Sequence, residues 1–157
     1  MLPQTGLLMN NGIMWFDPRP GGPNAIAPGK RPLSNMCPTV VVFDDGRRAA
    51  LGASGGRRIL PAVAQLLSFL ADFGMNPEDA AHCPRINVDG PELVEADARL
   101  PAETLALLEA RFAAAVRPHG VHPSAYACPN AVVWEPEGGT ATGVAHVMSP
   151  NASVGAP

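Results

Sequence analysis

The stretch "ALGASGGRRILPAVAQLLSFLADFG", Ala50–Gly74, decides how the rest of the chain is organised. Small and apolar residues run into the paired glycines Gly55 and Gly56, and Arg57 and Arg58 then open a long apolar segment. The pattern predicts the end of a strand, a glycine turn and a helix. Ile59, Val63, Leu66, Leu70 and Phe73 recur at the spacing of one helical face. Leu60, Leu67 and Ala71 form a second apolar row, which predicts cover on more than one side. The helix is expected from about Arg57 to Phe73, with Pro61 tolerated near the first turn and Gly74 ending it. Such a junction suits an oxygen carrying negative charge, because bare backbone N–H groups and the helix dipole meet there.

Upstream, Thr39–Phe43 ("TVVVF") reads as a strand whose unbroken apolar run predicts burial on both faces. "DDGR" supplies a hairpin turn with Gly46 free to take positive φ, and Arg47–Ala53 returns as the partner strand. Gly6–Asn11 reads as a short apolar strand, followed over residues 12–38 by a proline-punctuated connection of the length expected for a functional loop.

Downstream, Asn76 and Pro77 start a second helix as N-cap and first helical residue. "RINV" and "ELVEA" read as strands around an Asp89-Gly90 turn. Pro101–Val116 reads as a helix with Leu105, Leu108 and Phe112 inward and Glu103, Glu109 and Arg111 outward. "NAVVWE" and "TATGVAHV" give a last hairpin around "PEGG", and the tail from Ser149 to Pro157 is expected to be loose. Hairpins combined with long apolar helices predict an α+β fold, with helices packed on antiparallel sheet.

A length of 157 residues suits one domain with a real core, and 46% hydrophobic residues exclude disorder by composition. The net charge of -3 comes without a basic block, so no nucleic-acid partner is expected. No apolar run approaches the roughly 20 residues of a membrane span. The start, "MLPQTGLLMNN", has neither a basic leader nor a long apolar stretch, so no signal peptide is read there, and the compartment stays open. Cys37, Cys83 and Cys128 are isolated and form no C-x-x-C pair, which indicates neither zinc nor a disulfide framework; no metal or cofactor is expected.

Four chemistries compete for the glycine turn. A phosphate loop needs lysine and a hydroxyl after the glycines, where Arg57-Arg58-Ile59 stand, and the dinucleotide fingerprint fails on glycine spacing. Gly52-Ala53-Ser54-Gly55-Gly56 matches the G-x-S-x-G nucleophile elbow. That elbow, however, belongs to parallel strands with helical crossovers, and the strands here are joined by a hairpin. His119 and His122 lie in a Pro/Gly loop and His146 in a terminal strand, so Ser54 is a poor nucleophile candidate. In the last reading Gly55 and Gly56 are backbone donors to an oxyanion. On the residues alone, that reading and a plain tight turn weigh equally.

"PNAIAPGKRPLSNMCPTVVVFDDG" (23–46), "LGASGGRRI" (51–59) and "AHCPRI" (81–86) together resemble the C-terminal, small subunit of the gamma-glutamyltransferase family. There a "PGKRPLSSMSPT"-like segment precedes a "GSPGGSRI"-like turn, and a "PR" pair follows a helix. The resemblance runs in order from about Gly6 to Val133 and is most specific over the first 90 residues. It implies a partial αββα sandwich of the N-terminal-nucleophile hydrolase type, with residues 1–148 as a small-subunit-like domain lacking its first strands. It implies a reaction in which a threonine freed by self-cleavage attacks a γ-glutamyl amide, its own amine serving as base. Water, an amino acid or a peptide then accepts the acyl group.

Carried over residue by residue, the resemblance makes Gly55 and Gly56 the oxyanion hole. Ser34 and Asn35 fall where two serines lie near the substrate's α-carboxylate, and Asn11, at the end of "GLLMNN", is expected with them to bind substrate. Ser54 stands where the family often has proline, and Arg31 reads as structural. Trp15 occupies the family's acidic position for the α-amino group, and Asp17 is displaced along the loop, so other acyl amides are open as substrates. The family's nucleophilic threonine lies upstream of "GLLMNN", and Thr5 lacks its context, so the nucleophile is expected outside this chain. The expected partners are the large subunit and an N-terminal segment of the small subunit. The alternative is a non-catalytic fragment or pairing subunit that docks on a separate partner.

Overall fold

The computed structural model describes residues 3–6, 11–88, 90, 93–118, 126–146 and 153–155. It divides the chain into two units, Met1–Asn35 and Met36–Pro157, each described by itself. Residues 7–10 of the expected strand Gly6–Asn11, the loop with His119 and His122, Asp89 and most of the tail fall outside the described residues.

The larger unit is built on the hairpin read from the sequence. Strands β1 (Thr39–Val42) and β2 (Arg48–Ser54) pair antiparallel. Gly46 takes φ 87° in the turn between them, where its N–H donates to the Phe43 carbonyl at 3.0 Å. A short 3-10 turn, Gly56–Arg58, leads into helix α1 (Ile59–Ala71), and α2 (Pro77–His82) follows. The Asn76 side chain accepts from the Asp79 N–H at 2.9 Å, with Pro77 in the first turn, so the expected cap forms. Further along lie β3 (Ile86–Asn87), β4 (Val94–Asp97), α3 (Ala102–Arg111), β5 (Ala114–Arg117), β6 (Cys128–Trp134) and β7 (Ala141–Ala145).

These strands form a four-stranded sheet in the order β1-β2-β6-β7, antiparallel throughout, and a three-stranded sheet in the order β3-β4-β5. The core lies on one face of the larger sheet. There Ala49, Leu51, Ala131, Val133 and Val144 meet Ile59, Val63, Leu66 and Leu70 of α1 and Ala80 and Ala81 of α2. Leu66 is fully enclosed at 0% exposure. The α+β expectation is therefore met by helices lying on antiparallel sheet.

Several expectations are corrected. Among the described residues β1 is an edge strand covered on one face only, with Val40 79% and Val42 72% exposed. Its apolar run is shared between two faces, and only the face under the helices is covered. Phe73 lies beyond the end of α1 and is exposed, while Leu60 also faces outward. The segment read as one helix over Pro101–Val116 divides: α3 stops at Arg111, and Ala114–Arg117 pairs in parallel with β4. Local propensity favoured helix throughout, but the open edge of β4 offers ladder hydrogen bonds that a continuing helix forgoes. Phe112, expected inward, is 55% exposed at that break.

Candidate functional site

The glycine turn is held where two strands end. The last register pair of β2 and β6 is Ser54 with Cys128, and Ala127 lies against Gly55 just beyond it. Gly55 adopts φ 152°, and a Cβ on it would come within 2.7 Å of both the Cα and the Cβ of Ala127. No other residue type fits without moving backbone. Gly56 follows at φ 63°, in the left-handed region. The Gly55 carbonyl accepts from Arg58 N–H at 3.3 Å, whereas among the described residues no acceptor engages the N–H of Gly55 or Gly56. Gly55 is exposed and Gly56 half-buried, so these donors reach the surface beside the N-terminal end of α1. The two glycines are thus required for backbone shape, and their amides have no acceptor among the described residues.

The cations of this turn are partly spoken for. Arg58 Nε lies 3.8 Å from Glu95 of β4, whose carboxylate also meets Arg117 at 3.2 Å and accepts from Asn87 at 2.9 Å. Arg57 is exposed. A shallow apolar recess of ≈ 230 Å³, lined by Met36, Cys37, Pro38, Gly52 and Ala53, opens along β2 just before the turn.

Ser54 is exposed at the end of β2, which pairs antiparallel on both sides. His146 is buried and stacks on His82 with ring centroids 4.8 Å apart, and no described histidine reaches Ser54 by a hydrogen bond. Among the described residues, Ser54 has neither a histidine partner nor the parallel strand neighbours that an elbow uses. The three thiols are free, and burial pushes those of Cys83 and Cys128 above the ordinary range, which suppresses thiolate.

In the smaller unit, a single asparagine organises the loop, and the sequence reading passed over it. Asn24 donates from Nδ2 to the Trp15 carbonyl at 2.7 Å and accepts at Oδ1 from Leu33 N–H at 2.9 Å. Lys30 Nζ donates to the carbonyls of Pro23 and Ala25 at 3.0 and 3.2 Å. The run leading to Ser34 and Asn35 is therefore tied to the turn carrying Trp15. Ser34 is exposed, and Asn35 carries a buried Nδ2 with no partner among the described residues. Asn11 is exposed and donates from Nδ2 to Met14 Sδ at 3.2 Å. Trp15 is half-buried at the end of the 3-10 turn Gly12–Trp15. Two polar contacts of one side chain, spanning nine residues each way, leave no periodic trace that would have revealed Asn24.

Comparison with known proteins gives one consistent result. The family model described as Gamma-glutamyltranspeptidase matches residues 1–156. The chain is 30% identical over 155 residues to a Glutathione hydrolase proenzyme of Bacillus subtilis (strain 168), covering 99% of the chain and 26% of that protein. It is 36% identical over 143 residues to an Acylase ACY 1 proenzyme of Pseudomonas sp. (strain V22), covering 91% of the chain and 25% of that protein. The chain thus spans about a quarter of the length of these curated relatives. Among solved structures, the T380A mutant of the Helicobacter pylori gamma-glutamyltranspeptidase superposes with TM-score 0.72 at 26% identity, covering 95% of this chain and 85% of that one. The architecture is that of the N-terminal-nucleophile hydrolase gamma-glutamyltranspeptidases.

Proposed function

Because the chain belongs to the gamma-glutamyltranspeptidase family, we propose that it supplies the oxyanion hole and part of the substrate wall for acyl transfer from a γ-glutamyl or related amide. The observation that carries this is the turn itself: adjacent N–H groups at Gly55 and Gly56, without acceptors among the described residues, beside a helix N-terminal end. When a nucleophile adds to an amide carbonyl, the oxygen becomes an alkoxide, and fixed amide dipoles stabilise that charge more than the neutral carbonyl. Ser34 and Asn35 donate to the substrate's carboxylate, and Asn35 Nδ2, buried and unpartnered among the described residues, has donor capacity to spare. On this reading the attacking threonine and the cation that pairs the carboxylate are supplied by residues other than these 157.

The outer face of the larger sheet supports the need for partners. Val40, Val42, Val132 and Trp134 are exposed on it, an apolar surface suited to a second sheet of an αββα sandwich. A docking subunit without catalytic part remains the competing reading, and it predicts no dependence of turnover on the glycines.

A second acyl specificity is favoured by Trp15, a half-buried indole where the family resemblance places a carboxylate. An indole face attracts an ammonium far more weakly than a carboxylate does. With the 36% identical acylase relative, this supports donors lacking the α-amino group.

The test replaces Gly55 or Gly56 by alanine in the assembled enzyme and follows release of nitroaniline from acyl nitroanilides. Alanine keeps the N–H, but its Cβ cannot be housed at these φ values without moving the backbone. A displaced donor is expected to lower kcat by up to about 100- to 1000-fold, the scale of losing one oxyanion donor, with KM little changed. Turnover unchanged in folded Gly55→Ala and Gly56→Ala variants would exclude the oxyanion role.

A further inference from the structure

Arg85 is the most deeply buried arginine or lysine among the described residues, at 3% exposure, and forms no ion pair with any of them that would explain its burial. Its two terminal nitrogens are instead spent on main-chain carbonyls, while Nε is buried with no partner among the described residues. Nη1 donates to Ala81 O at 2.7 Å and to Cys83 O at 3.4 Å, and Nη2 donates to Ala127 O at 3.1 Å. The Ala127 bond joins residues 42 apart in sequence. Burying a guanidinium costs free energy unless its donors are used, so a fork committed to neutral carbonyls marks a place where backbone position matters. Burial, and then the neighbouring Arg99 charge, lower its proton affinity, with Asp97 acting in the opposite sense.

Ala127 is also the residue that abuts Gly55. The contacts close a ring around the glycine turn. From Gly55 the chain passes through the 3-10 turn into α1, where the Gln65 amide donates to Ile86 O at 2.8 Å and accepts from Ile86 N–H at 3.0 Å. Ile86 adjoins Arg85, Arg85 holds Ala127, and Ala127 meets Gly55 again. A backbone conformation as unusual as φ 152° followed by φ 63° persists only where its surroundings over-determine it. We propose that Arg85 is a positioning residue for the oxyanion-binding turn, acting through the Ala127 carbonyl to hold the Gly55 and Gly56 amides in their catalytic orientation. This rests on the oxyanion reading above for its functional consequence, though the ring of contacts stands without it.

The consequence is specific to the transition state. Amides that wander by a fraction of an ångström still admit substrate but stabilise the alkoxide less, so kcat falls while KM holds. The geometry of the fork matters, beyond its charge: lysine keeps the cation but has no planar pair of nitrogens to span Ala81 and Ala127.

The experiment compares Arg85→Lys and Arg85→Met. In the assembled enzyme, both are expected to lower kcat about 10- to 100-fold with KM within about twofold. Affinity for a boronic-acid analogue of the acyl donor should fall in step with kcat, while affinity for the carboxylic acid product stays constant. In the full 157-residue chain, ¹⁵N order parameters of Gly55 and Gly56 should drop from about 0.85 toward 0.6 in Arg85→Lys, with those of α1 unchanged. Should Arg85→Met not fold, Arg85→Lys carries both measurements. Full kcat in Arg85→Lys, a change confined to KM, or unaltered order parameters at both glycines would each overturn the proposal. If Gly55→Ala leaves turnover intact while the order parameters still fall, the oxyanion reading fails and the ring survives. If Gly55→Ala is damaging and Arg85→Lys is inert, only the present inference fails.

Discussion

Tyr126, the chain's only tyrosine, sits next to Ala127 and is buried to 4% exposure. Burial, with added repulsion from Asp97 and Glu95, pushes its phenol from 10.0 up to about 12. The native state therefore keeps this proton over a range in which the unfolded chain gives it up. Its contribution to stability is complete below pH 10, declines as pH rises from about 10, and is gone above about 12. Absorbance at 295 nm should titrate with a midpoint near 12 in the folded chain, and melting temperature should begin to fall above about pH 10. A midpoint at 10 would mean that the packing beside the glycine turn is open. At Trp15, Trp15→Asp places a carboxylate where the indole stands. It is expected to raise kcat/KM for γ-glutamyl over des-amino glutaryl donors about tenfold or more, the scale of one charge-assisted hydrogen bond. An unchanged ratio of the two donors would remove Trp15 from the specificity argument.

At the scale of elements, α1 is the strut that relates the sheet to the turn. Its buried row was legible in the sequence because Ile59, Val63, Leu66 and Leu70 recur with the helical period. What periodicity does not show is the polar tie on its flank, where Gln65 substitutes for a neighbouring strand at Ile86. Gln65→Leu leaves a backbone donor and a backbone acceptor unpaired at a half-buried position. Urea unfolding should register a loss of about 1–3 kcal/mol, and a loss below 0.5 would show that water replaces both bonds. The unit β4–α3–β5 was misread because its helix and strand are joined without a turn residue. Ala113 and Ala114 carry no β signal, and only the unfilled edge of β4 selects an extended conformation there.

For the whole molecule, the outer face of the larger sheet is the feature that a lone chain does not explain. Val40 and Val42 make no core contact, so lysines there should leave the melting midpoint nearly unchanged, within about 0.5 kcal/mol of stability. The same Val40→Lys and Val42→Lys variants should lose association with the complementary polypeptide by sedimentation, because burying an unpaired ammonium in an apolar seam is costly. Undiminished association would place the partner on another surface. Among the described residues no helix is long and apolar enough to cross a membrane.

The sequence by itself determined the hairpin, the glycine turn, the apolar face of α1, the cap at Asn76 and the family, because each is written in neighbouring residues or ordered motifs. Gly55 and Gly56 were readable as candidates, although a plain turn explained them equally well. Tertiary structure alone decided that β1 is half-exposed, that the chain after Arg111 becomes a parallel strand, and that Arg85, Gln65 and Asn24 hold backbone in place. The physical reason is common to these cases. Strand edges, sheet faces and buried carbonyls draw their partners from residues distant in sequence, and no local pattern records which partner arrives.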